Sequence, residues 1–163
     1  MAKTSYAIAL GSNRRSRHGS PAQTLEAALA GLRPVATSRI RHTPALGPAG
    51  RGFANAIAIV ESDLDPDELL AELKAMERAF GRRPGRRWGP RVLDLDIILW
   101  SEGAWAGPGL VVPHPAFRSR RFVLEPLAEL AADWRDPVTG LTVRQLLARL
   151  RAATPIGRGT GRT

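Results

Sequence analysis

Residues 92–100, VLDLDIILW, constrain the fold most, because a run of β-branched and apolar residues interrupted only by Asp94 and Asp96 reads as a strand buried along much of its length. Side chains two apart in a strand share a face, so the two carboxylates point the same way, about 6.7 Å apart along the chain. Leu93, Leu95, Ile97 and Leu99 are expected on the opposite, core-facing side, with Ile98 and Trp100 continuing the carboxylate face. Two like charges in an apolar strand repel each other and resist burial, a conflict that a hard divalent cation resolves. Mg²⁺ commonly takes one or two carboxylates and completes its octahedron with water and phosphate oxygens. Alternating Asp and Leu is also how a solvent-facing strand is written, and a lone D-x-D favours that alternative. The apolar continuation through Ile98 and Trp100 is what sets this strand apart from a plain solvated surface.

The strand is entered from a cationic segment. Arg82, Arg83, Arg86, Arg87 and Arg91 surround Pro84, Gly85, Gly89 and Pro90, which predicts a mobile loop suited to a polyphosphate. Arginine is this chain's habitual cation, with 22 Arg against 2 Lys, yet five in ten residues exceeds that background. The formal charge of +9 favours anionic partners without choosing among nucleotide, nucleic acid and phospholipid. At 163 residues and 44% hydrophobic content the chain can bury one core, and a single domain over 1–153 is expected. No apolar run approaches the ~18 residues of a membrane span, and the first residues lack a signal-peptide core and cleavage site. The absence of cysteine excludes disulfides and thiolate metal sites and suits a cytoplasmic protein.

In chain order, Tyr6–Leu10 reads as a strand ending in the turn signal Gly11-Ser12-Asn13, and Ser20-Pro21 as the cap of a helix buried through Leu25, Ala28, Leu29 and Leu32. Val35–His42 reads as one uneven strand, and the Pro- and Gly-rich 43–50 as a loop. Phe53–Ser62 is a strand with Phe53, Asn55, Ile57 and Ile59 on one face. An amide beside an aromatic ring can recognise a flat heterocycle, although a buried Asn satisfied by backbone explains the same pattern. Asp65-Pro66-Asp67-Glu68 opens a helix in the manner of a capping box, its stripe running through Leu69, Leu73, Met76 and Phe80 to a stop at Gly81, with Glu77 just beside that stripe. Ser101-Glu102-Gly103 predicts a hairpin turn before a short strand at Leu110–Val112. A histidine between prolines, His114, then leads a second basic segment of Arg118, Arg120 and Arg121. A helix is expected from Pro126 through Ala131 and another over Thr142–Leu150, followed by a disordered tail, 154–163.

Together AIALGSN, TPALGP, FANA, the segment from Glu77 to Arg82, RWGPRVLDLDI and VPHPAFRSRRFVLEPL resemble, in order over about residues 5–131, the signatures of the 6-hydroxymethyl-7,8-dihydropterin pyrophosphokinase family. The resemblance implies an α+β fold, a ferredoxin-like sandwich with a mainly antiparallel sheet and flanking helices. It implies transfer of pyrophosphate from ATP to the pterin hydroxymethyl group in folate biosynthesis, with ATP as co-substrate and two Mg²⁺. It places the metal at Asp94 and Asp96, and the pterin at Thr43, Leu46, Phe53, Asn55 and Phe122. ATP falls to Glu77, Arg83, Trp88, Ile98, His114 and Arg120, with Arg82 and Arg91 engaging the phosphates catalytically. A monomer acting on small molecules, with neither nucleic acid nor membrane as partner, is the matching expectation. Lys74, Gly109 and Arg41 depart from the residues common at those places. A nucleic-acid-binding module is the rival reading from another class, against which stands the lack of a clustered aromatic surface: one Tyr and four Phe in the whole chain. An inactive homologue that keeps only ATP binding is a third.

Overall fold

The computed structural model describes residues 2–43, 52–81 and 92–153. Its centre is an antiparallel sheet in which β1 (Thr4–Ser12) lies between β4 (Phe53–Ser62) and β5 (Asp94–Trp100), while two short strands, β2 (Ala36–Thr37) and β3 (Arg41–Thr43), pair with the outer side of β4. The order β2-β4-β1-β5, with α1 (Pro21–Leu32) and α2 (Pro66–Ala79) as the crossovers, is the ferredoxin-like arrangement.

Alternation along the strands creates two cores. Tyr6, Ile8, Leu10, Ala56, Ala58, Leu95 and Ile97 face α1 and α2, and Leu25 and Leu73 close that layer from the helices. Burying each such leucine contributes about 2 kcal/mol. On the other face Ala7, Ile57, Ile59, Ile98 and Leu99 meet α3 (Arg121–Ala131), α4 (Val143–Ala153) and a 3-10 turn at Phe117–Ser119. A small hairpin, β6 (Trp105–Gly107) and β7 (Leu110–Val112), connects β5 to that turn.

Four sequence expectations are corrected. The first strand runs on through Gly11 and Ser12, which pair with β4, and the turn comes after them. Val35–His42 is not one strand: the Ser38 hydroxyl accepts the Ile57 N–H (2.9 Å) in place of a backbone carbonyl and breaks it into β2 and β3. The register of β1 on β5 shifts between Ala7 and Ile8, which pair with Leu99 and Ile97, so Ile98 is an extra, bulged residue. Beyond the bulge the alternation reverses, and Leu99 joins the second core while Trp100 packs against the first. The helix predicted to start at Pro126 starts at Arg121, with Pro126 buried inside it.

Among the described residues, three helix starts carry reciprocal caps. The Ser20 Oγ accepts the Gln23 N–H and the Gln23 side chain accepts the Ser20 N–H; Asp65 with Glu68 and Thr142 with Gln145 do the same. Arg120, at the head of α3, makes no side-chain cap.

Candidate functional site

The sheet face toward α3 carries a floor of small residues. On β1 it presents Ala7, Ala9 and Gly11, against Tyr6, Ile8 and Leu10 on the other face. Two rows cross this floor: Asn55, Gly11 and Asp94 in register, then Ile57, Ala9 and Asp96. Asn55 and Asp94 are thus two strand spacings, roughly 10 Å, apart. Helix α3 leaves this end of the sheet uncovered, and a cavity of about 700 Å³ opens there.

Nine of the residues singled out from the sequence line it: Thr43, Phe53, Asn55, Asp94, Asp96, Ile98, His114, Arg120 and Phe122. At one end Phe53 and Phe122 are exposed on opposing elements, β4 and α3. Asn55 Nδ2 donates to the Thr43 hydroxyl (3.3 Å) and its Oδ1 lies over Gly11, 3.5 Å from where a Cβ there would sit. A Cβ at Gly11 would meet this amide oxygen at ordinary van der Waals distance, and a longer side chain would project into the cavity. At the other end, the His114 N–H donates to the Ile98 carbonyl (3.0 Å), and its Nδ1 accepts the Ala116 N–H (3.1 Å), leaving Nε2 as the proton-bearing nitrogen of the neutral ring. Arg120 sits with its guanidinium 5.8 Å from the Phe122 ring centroid.

Asp94 and Asp96 are half-buried side by side on β5. Burial, and then the charge of Asp94, raise Asp96 above the ordinary carboxylate range, against the opposing influence of His114 and Lys74. Among the described residues no third carboxylate, His or Cys completes a protein cage. A pair of strained carboxylates with few further protein ligands fits a hard cation that keeps water and phosphate oxygens in its shell.

Glu77 lies elsewhere. Its side chain is fully buried, accepts the Leu95 N–H (2.7 Å) from beside β5 and meets the Lys74 ammonium at 3.4 Å. Arg82, Arg83, Trp88, Arg91 and Leu46, together with the 154–163 tail, lie outside the described residues. Sequence reasoning missed Asn13, Phe117 and Val123, which also line the cavity. It missed the floor as well, though a signal was there: small residues at every second position of β1 announce space above one face.

A model of the 7,8-dihydro-6-hydroxymethylpterin-pyrophosphokinase family matches residues 7–132. The chain is similar to the 2-amino-4-hydroxy-6-hydroxymethyldihydropteridine pyrophosphokinase of Pseudomonas aeruginosa, 42% identical over 148 residues, which are 86% of this chain and 88% of that protein. The enzyme of the same name from Methylorubrum extorquens is 40% identical over 146 residues (88% and 91%), and that from Synechocystis sp. 38% over 135 (82% and 69%). The wild-type Plasmodium falciparum HPPK-DHPS crystal structure superposes with a TM-score of 0.71 at 13% identity, over 92% of this chain and 41% of that one, a likeness of fold. This chain spans less than half of that longer protein.

Proposed function

The chain belongs to the 7,8-dihydro-6-hydroxymethylpterin-pyrophosphokinase family, and we propose that the cavity over β1, β4 and β5 is where it works. It is an ATP-dependent pyrophosphokinase of folate biosynthesis, moving pyrophosphate from ATP to hydroxymethyldihydropterin. In bonding terms the acceptor hydroxyl gives up its proton to water as its oxygen joins the β-phosphorus, the bond from that phosphorus to the oxygen bridging to the α-phosphorus breaks, and AMP leaves with that oxygen. Such a transfer needs alignment and charge neutralisation more than covalent help.

The single observation that carries the site assignment is that one cavity joins an aromatic and amide end to a carboxylate pair. Phe53 and Phe122 stack the pterin, and Asn55, oriented by Thr43, reads its edge, joined by backbone groups of Thr43 and Leu46. Asp94 and Asp96 hold the metal, which when bound supplies charge neutralisation and polarisation of the phosphates. Two Mg²⁺ are part of this reading. His114, through Nε2–H, and Arg120 donate to the nucleotide, joined by contacts from Arg83, Trp88 and Ile98, while Arg82 and Arg91 offset charge developing in transfer. Glu77 serves the nucleotide side from beneath, by holding the outer N–H of β5. A single domain over 1–153 acting as a cytoplasmic monomer belongs to the same proposal. Light scattering tests the oligomeric part.

The chain is incubated with ATP, Mg²⁺ and the hydroxymethyl dihydropterin, and AMP and the pterin diphosphate should accumulate in equal amounts. Chelation of the metal should stop both. Formation of ADP, or no AMP, would overturn the reading.

A further inference from the structure

The segment from His114 to Val123 delivers five residues to the cavity, His114, Phe117, Arg120, Phe122 and Val123, and so forms one of its walls. Most of its polar contacts are local, as in the Phe117 N–H to the His114 carbonyl and the Ser119 N–H to the Ala116 carbonyl. Helix α3, which carries Phe122, begins without a side-chain cap. Something other than capping must therefore fix where the helix enters.

Besides the His114 N–H bond to the Ile98 carbonyl at its start, the segment is anchored at long range by an ion pair. Arg118 donates through Nε (2.5 Å) and Nη2 (2.8 Å) to the two carboxylate oxygens of Asp136, a fork that sets orientation as well as distance. Asp136 is fully buried in the connection between α3 and α4, where it also accepts the Val138 N–H and the Thr139 hydroxyl. Arg118 in turn lies 4.9 Å over the ring of Phe117, itself wholly buried. Asp136 stands beyond residues 7–132, the part of the chain that the family model covers.

We infer that Asp136 and Arg118 are positioning residues for the reaction: the pair locks the 3-10 turn to the α3–α4 connection and thereby sets Arg120 and Phe122 against the substrates. It also sequesters Arg118, so that Arg120 is the cation this turn offers to the cavity. The inference rests on the functional reading above and deepens it. A wall displaced by a fraction of an ångström aligns substrates poorly, and misplacement of about 1 Å can cost as much as a hundredfold.

The test is steady-state kinetics of Asp136→Asn and Arg118→Lys, well below each protein's unfolding temperature, with calorimetric binding of both substrates. Arg118→Lys keeps the charge and loses the fork. Both variants should raise KM and Kd about tenfold while kcat falls less than about threefold, and the double variant should be no worse than Asp136→Asn alone, because both changes remove one link. Arg144→Ala, which removes an exposed ion pair to Asp133 in the same region, should leave KM at the wild-type value. Lowered unfolding temperatures with wild-type KM and Kd would overturn the inference. If Asp136→Asn does not fold, Arg118→Lys decides alone. A wild-type protein that makes no AMP refutes the functional reading instead, and substrate Kd values still judge the pair.

Discussion

At the scale of single residues, the site is built on a conflict held in place by the strand. Asp94 and Asp96 cannot separate, because the backbone of β5 fixes both on one face, and the neighbouring charge and burial raise Asp96. Replacing either with Asn should lower turnover by about a hundredfold or more, as removal of electrostatic stabilisation does. Asp96→Asn should not lower the unfolding midpoint, since burial and the charge of Asp94 already disfavour this carboxylate and Leu95 and Ile97 stay in the core. Near-normal turnover in both variants would remove the metal assignment. Asn55, with Phe53 on the same strand face, lies two strand spacings from the carboxylates and is proposed with it to act on the acceptor alone. Phe53→Ala or Asn55→Ala should weaken pterin binding by about 1–3 kcal/mol and leave ATP binding within about twofold. Calorimetry with each substrate separately checks this, and equal losses for both would contradict the division of the cavity.

At the scale of elements, β5 is an edge strand that is nonetheless buried, so its outward groups need partners. The Glu77 carboxylate takes the Leu95 N–H, and the Ile98 carbonyl takes the N–H of His114. Glu77→Ala would leave that buried N–H without this acceptor, for a loss of about 1–3 kcal/mol. Lys74 is more exposed, and Lys74→Ala should cost no more than about 1 kcal/mol. Urea unfolding of the two variants side by side measures the difference. Equal midpoints would mean that the edge contact is energetically idle. The bulge at Ile98 is the other device in this strand. It lets Asp94 and Asp96 face the cavity while Leu99, an odd number of residues further on, fills the core on that same side.

At the scale of the whole molecule, the layer of α3 and α4 is tied to the site wall through Asp136. Burial works to raise this carboxyl, but the hydrogen bonds from Arg118, Thr139 and the Val138 N–H outweigh it and lower it to about 2. A carboxyl depressed on folding stabilises the protein above its ordinary pKa of 3.8, and that contribution is lost as pH falls through about 2. The gap between those values corresponds to about 2 kcal/mol at neutral pH. Wild type should therefore lose stability between about pH 4 and pH 2 that Asp136→Asn has already lost, and the two should converge in acid. Urea midpoints at several pH values check it; a constant gap down to pH 2 would contradict the ion-pair account.

The sequence by itself determined whatever depends on short-range periodicity and local hydrogen bonding. The period of two in 53–62 and 92–97 placed Asn55, Asp94 and Asp96 on their faces, and the cap signals at Ser20 and Asp65 marked two helix starts. Where local signals were absent or misleading, tertiary structure decided. Helix α3 has no cap and contains a proline, so its start at Arg121 follows from packing against the sheet and α4. The bulge at Ile98 exists only relative to β1, and no pattern within β5 announces it. Glu77 reads as a surface residue on a helix until β5 lies beside it and offers an N–H. The meeting of Arg118 with Asp136, eighteen positions apart, and of Asn55, Gly11 and Asp94 in one row depends on chain reversals, because alternation assigns a side chain to a face without choosing the strand that will lie alongside it.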